Sequence, residues 1–165
     1  MVRRIWGDEL AARLLKGFAY VLTIELRFRY GVEPSFQILI PMTLTIFLVE
    51  DNATIRDNLI ATLQEMAGAQ VLKVAAGERE ARTWLAENNG WALAIVDLFI
   101  ENGSGLGVLK ALQKRSQHQR AVILSNYATP EIRAQCLRLG ADRVFDKSTE
   151  LETLIDYLAA LNLAK

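Results

Sequence analysis

From Met42 onward, five short apolar runs alternate with five stretches of helical periodicity. The first run, 45–49, ends in Glu50 and Asp51. Asn52 is suited to cap the helix that follows, on which Ile55, Leu59, Leu63 and Met66 recur at helical spacing. A second run, 70–75, closes at Gly77, and a helix carrying Ala81 and Leu85 stops at Asn88-Asn89-Gly90. The third run, 91–96, ends in Asp97. Next comes a Gly-rich segment, 102–105, read as a flexible loop, and a helix bearing Val108, Leu109 and Leu112. A fourth run, 121–124, ends in Ser125. Pro130 then opens a helix with Ile132, Leu137 and Leu139, stopped by Gly140. The last run, 143–145, leads to Lys147, and Leu151, Leu154, Ile155, Leu158 and Leu161 form the final helix.

Such alternation predicts an α/β chain with a parallel sheet and helices on both faces. Right-handed crossovers select the doubly wound, flavodoxin-like strand order 2-1-3-4-5. Residues 1–41 do not share the rhythm. Leu10, Leu14 and Phe18 suit a short amphipathic helix, and residues 24–30 alternate as a strand before Pro34 and Pro41 break the chain. Two readings follow for this extension: an accessory or dimerisation element, or a start read too far upstream, with Met42 as the initiator. The second is preferred, because 42–165 is self-sufficient.

Composition removes several function classes. With 19 basic and 19 acidic residues the net charge is zero, which gives no electrostatic reason to expect nucleic acid. A single Cys, Cys136, and a single His, His118, exclude an intramolecular disulfide and a multi-Cys or His-based metal cluster. Cys136 is expected as a buried small hydrophobe. No apolar run approaches the roughly 20 residues that span a bilayer, so the expectation is a soluble, cytoplasmic chain without a membrane partner. Lys114, Arg115, His118 and Arg120 read as a solvated basic helix end.

The chemistry sits at the strand ends. In the order 2-1-3-4-5 the first and third strands are neighbours, so Glu50, Asp51 and Asp97 meet at the carboxyl edge of the sheet, where open α/β folds bind ligands. Two carboxylates about 4 Å apart repel by roughly 4 kcal/mol at an effective dielectric near 20. A hard divalent cation relieves this, and a few carboxylates plus water suit Mg²⁺. Ser125 adds a hydroxyl and Lys147 a mobile ammonium. Together these residues supply the means to move a phosphoryl group onto Asp97.

With Glu50-Asp51, Asp97, Ser125 and Lys147 at successive strand ends, residues 43–163 resemble the receiver domain of bacterial two-component response regulators, the chemotaxis-regulator fold. The resemblance implies that Asp97 accepts the phosphoryl group and that Mg²⁺ is held by Asp51, Glu50, Asp97 and the backbone carbonyl of Phe99. It implies that Lys147 pairs with phosphoryl oxygens and that Ser125 turns inward to report phosphorylation. The implied partners are a sensor histidine kinase or phosphotransfer protein and a downstream protein target, with phosphorylation-linked dimerisation left open. Because the final helix ends close to Lys165, a single-domain regulator is expected, a switch rather than an enzyme. Val144 departs from the family pattern by standing where an aromatic switch residue is usual, with Phe145 beside it on the opposite face, and Tyr127 is a candidate substitute. Ser148 stands where proline is common. Phe99 and Tyr127 flank the path of an attacking water and are expected to slow loss of the phosphoryl group. The alternative is a receiver-fold binding module that works without phosphorylation. A Mg²⁺-dependent aspartyl phosphatase is disfavoured, because Phe99 occupies the place of the required second acid.

Overall fold

The computed structural model describes residues 43–163. The expected features of the extension, including Met42, lie outside this range. Five parallel strands form one sheet in the order β2-β1-β3-β4-β5. In chain order the elements are β1 (Thr45–Val49), α1 (Ala53–Ala67), β2 (Gln70–Ala75), α2 (Glu78–Glu87), β3 (Leu93–Val96), α3 (Gly105–Leu112), β4 (Arg120–Ser125), α4 (Pro130–Arg138), β5 (Arg143–Asp146) and α5 (Leu151–Leu163).

The central strands read as continuous apolar runs because both of their faces are covered. Side chains of β1 alternate between two cores. Ile46 and Leu48 face Leu59 and Leu63 of α1 and Leu154 and Leu158 of α5. Phe47 and Val49 face the opposite core, with Ala81 of α2, Val108 and Leu112 of α3 and Cys136 of α4. Phe47 stacks on Trp84 with ring centroids 4.5 Å apart. Helix starts follow their capping chemistry. The Asn52 carboxamide oxygen accepts from the Ile55 N–H at 3.0 Å, and the Thr129 hydroxyl accepts from that of Ile132 ahead of Pro130.

Several local expectations needed correction. Met66 and Leu137, which share the helical spacing of their apolar neighbours, are exposed rather than in the core; Met66 lies in the last turn of α1, and Leu137 a residue past the buried Cys136 of α4. Strand β3 begins at Leu93, two residues later than the apolar run starts. Arg115 is not a solvated helix end. Its guanidinium donates to the carbonyls of Leu112, Gln119 and Gly140 and to Asp142, so it tacks the α3–β4 turn to the start of β5.

The loop after β4 is tied down from α4. Arg133 donates through Nε to the Ala128 carbonyl at 2.9 Å, through Nη1 to the Val144 carbonyl at 2.5 Å and through Nη2 to Glu150 at 2.5 Å. One guanidinium therefore joins the β4–α4 loop, strand β5 and the residue preceding α5. Glu150 also accepts the Asp146 N–H. The Arg133 hydrogen bond, followed by that amide, holds the Glu150 carboxyl below its ordinary value of 4.5. A carboxyl depressed by folding stabilises the fold fully above its unfolded pKa, and the contribution is lost as pH falls through the folded value. Thermal unfolding of Glu150→Gln should accordingly show a smaller loss of melting temperature than wild type on acidification from neutrality to about pH 3. Parallel acid limbs would refute this coupling.

Candidate functional site

Strand register places the acids together. Val49 of β1 lies opposite Val96 of β3 in their shared ladder, so Glu50-Asp51 and Asp97 leave adjacent strands at the same level. One carboxylate oxygen from each of Glu50, Asp51 and Asp97 lies within 4.8 Å of the others. Across the sheet, Ser125 pairs with Asp146 at the ends of β4 and β5, and the Lys147 N–H donates to the Ser125 carbonyl at 3.1 Å. That bond starts the Lys147 side chain back toward the acids.

Lys147 Nζ lies 2.6 Å from Glu50 Oε2 and 2.6 Å from Asp97 Oδ2. Its side chain is only 9% exposed. The mobile ammonium expected from the sequence is instead fixed between two buried acids. Asp51 stands outside this pairing. Its Oδ2 accepts the Glu101 N–H at 2.7 Å, while Asp97 Oδ1 accepts that of Phe99 at 3.2 Å and Glu50 Oε1 that of Asn52 at 3.3 Å. Each carboxylate is thus oriented by a backbone amide.

Three carboxylates against one ammonium leave the cluster with two uncompensated negative charges when all are ionised. Burial raises the Glu50 carboxyl above its ordinary value, outweighing the Lys147 hydrogen bond that acts to lower it. Burial alone would lower the Lys147 ammonium, yet its hydrogen bonds and charge interactions with Asp97 and Glu50 prevail and hold it above its ordinary value. Both shifts, that of Glu50 and that of Lys147, run toward the protonated form, the direction a surplus of negative charge favours. The same surplus, presented by oxygen donors alone, fits a hard divalent cation.

The other expected site residues border this cluster. Ser125 is fully buried at the end of β4, and its Oγ accepts the Tyr127 N–H at 3.4 Å. Phe99 and Tyr127 are both more than half exposed and meet edge to face at 5.2 Å. Val144 is buried in the core beneath α4, whereas Phe145 faces the opposite core and packs on Tyr157. Asp146 accepts both the N–H and the hydroxyl of Ser148, a local turn that organises the residues after Lys147.

Sequence reasoning did not foresee the part played by the Gly-rich segment. A Cβ at Gly105 would fall 2.0 Å from the Asp97 carbonyl oxygen, so this glycine is needed for close packing against the backbone of Asp97 rather than for flexibility. Glu78, which organises the same loop from α2, was also missed, and its only trace in the sequence is the cluster of glycines it displaces.

A five-stranded parallel sheet with an acidic cluster and a buried lysine at its carboxyl edge defines a receiver-type fold. Residues 46–159 match the response regulator receiver domain, and the chain belongs to that family. Among its relatives is the photosynthetic apparatus regulatory protein RegA of Rhodobacter capsulatus, 29% identical over 76 residues, or 46% of this chain and 41% of that protein. An NtrX-like response regulator of Rickettsia bellii is 30% identical over 112 residues, covering 67% of this chain and 23% of its own. The chain therefore spans less than half the length of either relative. A solved response regulator from Burkholderia pseudomallei, with a phosphorylated aspartic acid, a calcium ion and citrate, has the same fold. Its TM-score is 0.61 at 24% identity, across 73% of this chain and 69% of its own. Among the described residues, no helix is long and apolar enough to cross a membrane.

The shared lysine generates an asymmetric expectation in metal-free buffer. Replacing Lys147 by Met strands two buried acids and should cost about 3 kcal/mol. Asp97→Asn leaves Lys147 paired with Glu50 and lowers the charge surplus, so its stability should equal or exceed that of wild type. Urea unfolding followed by tryptophan fluorescence measures both, and a larger loss for Asp97→Asn than for Lys147→Met would contradict the charge balance.

Proposed function

We propose that this chain is a phosphorylation switch in a two-component relay, with Asp97 as the phosphoryl acceptor. The observation that carries this reading is Lys147 Nζ at 2.6 Å from both Glu50 and Asp97, with Asp51 on the open side of the cluster. Receiver domains of response regulators interact with histidine kinases or phosphotransfer proteins, and one of these is the proposed donor. The output is a downstream protein rather than nucleic acid, in keeping with zero net charge, and the proposed location is the cytoplasm.

Glu50, Asp51, Asp97 and the Phe99 carbonyl are the proposed holders of Mg²⁺. When bound, the cation would offset the negative charge that gathers as donor phosphate approaches three carboxylates. The residues of the chain do the rest. A carboxylate oxygen of Asp97 attacks phosphorus, the bond from phosphorus to the donor's leaving atom breaks, and the leaving group takes its proton from solvent. Lys147 is held beside the acceptor and needs little rearrangement to meet the charge on the transferred oxygens. Ser125 exchanges its bond with the Tyr127 amide for one to a phosphoryl oxygen, which frees the loop that Arg133 ties to β5. The aspartyl phosphate is later hydrolysed by water, and the chain turns over no other substrate.

The calcium-bearing, phosphorylated neighbour from Burkholderia pseudomallei lends support by likeness of fold. A binding module that ignores phosphorylation is the second reading, and the buried Val144 at the aromatic switch position is what favours it.

Incubation with Mg²⁺ and acetyl phosphate, followed by intact-mass measurement, should give one phosphoryl adduct on wild type and none on Asp97→Asn. Absence of an adduct, together with no Mg²⁺-dependent binding of beryllofluoride, would favour the second reading. A separate expectation concerns the lifetime of the adduct. Phe99 offers an approaching water no polar group, so Phe99→Asn should lose phosphate several-fold faster than wild type. Equal or slower decay in the variant would remove Phe99 from this role.

A further inference from the structure

The segment between β3 and α3 supplies the amides that orient two of the three carboxylates, through Phe99 to Asp97 and Glu101 to Asp51. Its near end is fixed by close packing, with Gly105 against the Asp97 backbone and its N–H donating to the Leu98 carbonyl at 3.0 Å. The far end is held from α2. Gly77 and Asn102 form a parallel bridge, and the Glu78 N–H donates to the Asn102 carbonyl at 2.9 Å.

The Glu78 side chain completes this attachment. Its Oε2 accepts the Ser104 N–H at 3.0 Å, and its Oε1 accepts from Arg82 at 3.3 Å. The loop is shaped around this carboxylate. A Cβ at Gly103 would lie 2.5 Å from the Glu78 Cβ, and one at Gly107 would lie 2.1 Å from Glu78 Oε1. Two glycines on separate turns therefore make room for a single side chain. The carboxylate also lies at the N-terminal end of α3, where negative charge is favoured.

We propose that Glu78 is a positioning residue for the acidic cluster, acting through the 97–104 loop to set Asp51 and Asp97 for a divalent cation. The inference rests on the proposed reading of that cluster as a Mg²⁺ site. Groups that orient metal ligands without touching the metal typically change affinity by about 10- to 100-fold when removed. Glu80 is the natural control. It lies on the same helix, pairs with Lys73 at 2.6 Å and accepts the Ala76 N–H, and has no bond to the loop.

The test compares full-length wild type, Glu78→Ala, Glu78→Gln and Glu80→Ala. Mg²⁺ affinity is read from the concentration dependence of melting temperature, and loop order from hydrogen exchange at residues 99–104 in EDTA. Glu78→Ala should weaken Mg²⁺ affinity about tenfold and speed exchange in the loop, while the amides of β1 stay protected. Glu78→Gln keeps an acceptor for the Ser104 N–H and should restore most of the affinity. Glu80→Ala should lower the melting temperature without moving the Mg²⁺ midpoint. Wild-type affinity in Glu78→Ala would overturn the proposal, as would an equal loss in Glu80→Ala. A wild type that does not respond to Mg²⁺ would instead overturn the reading of the cluster itself, and this inference with it.

Discussion

One ammonium held between two buried carboxylates, with a third carboxylate beside them, is the interaction around which this molecule is organised. Lys147 reaches Glu50 and Asp97 at 2.6 Å from a strand two places away in the sheet from β3. That meeting requires the strand order and register observed, because only then do the ends of β1 and β3 lie level while β5 returns its lysine across β4. The fold solves half of an electrostatic problem and leaves the other half open. Protein charges alone do not balance the site, and burial makes the imbalance matter more than it would in water.

The surroundings divide into a side held by shorter backbone hydrogen bonds and a side held by a longer one. On one side, backbone amides of Asn52, Phe99 and Glu101 each hold one carboxylate, and Gly105 packs against the backbone of Asp97. On the other side, Ser125 shares its hydroxyl oxygen with the Tyr127 amide at 3.4 Å, a long bond that is cheap to exchange. Arg133 then links the following loop to β5 and to Glu150. This link runs through backbone carbonyls and an ion pair, so it does not depend on an aromatic ring at Val144.

The architecture was legible because its signals were of long period and mutually consistent. Both β1 and β3 are buried on both faces, which turns a parallel sheet into plain apolar runs, and helix starts such as Asn52 and Thr129-Pro130 declare themselves chemically. Strand-end acids were legible for the same reason, since topology alone makes the ends of β1 and β3 neighbours. Depth was not legible. Lys147 looks like any lysine after a strand, and only the structure shows it enclosed. Nor was the role of the glycines, because Gly105 and Gly107 answer to backbone and side chains far away in sequence. Arg133, Glu150 and Glu78 each bind at least one backbone group of another segment, which carries no residue-specific signal, so nothing in the pattern of side chains pointed to them.

The most direct measurement follows the amide resonances of Asn52, Phe99 and Glu101 by NMR as Mg²⁺ is added at constant ionic strength. Each of these N–H groups donates to one carboxylate of the cluster, so each reports on its own acid. If the cluster is a divalent-cation site completed by the fold, all three resonances shift together along one saturating curve. If they stay in place, or move equally with sodium chloride, the unbalanced charge is a feature of the resting fold and not a binding site.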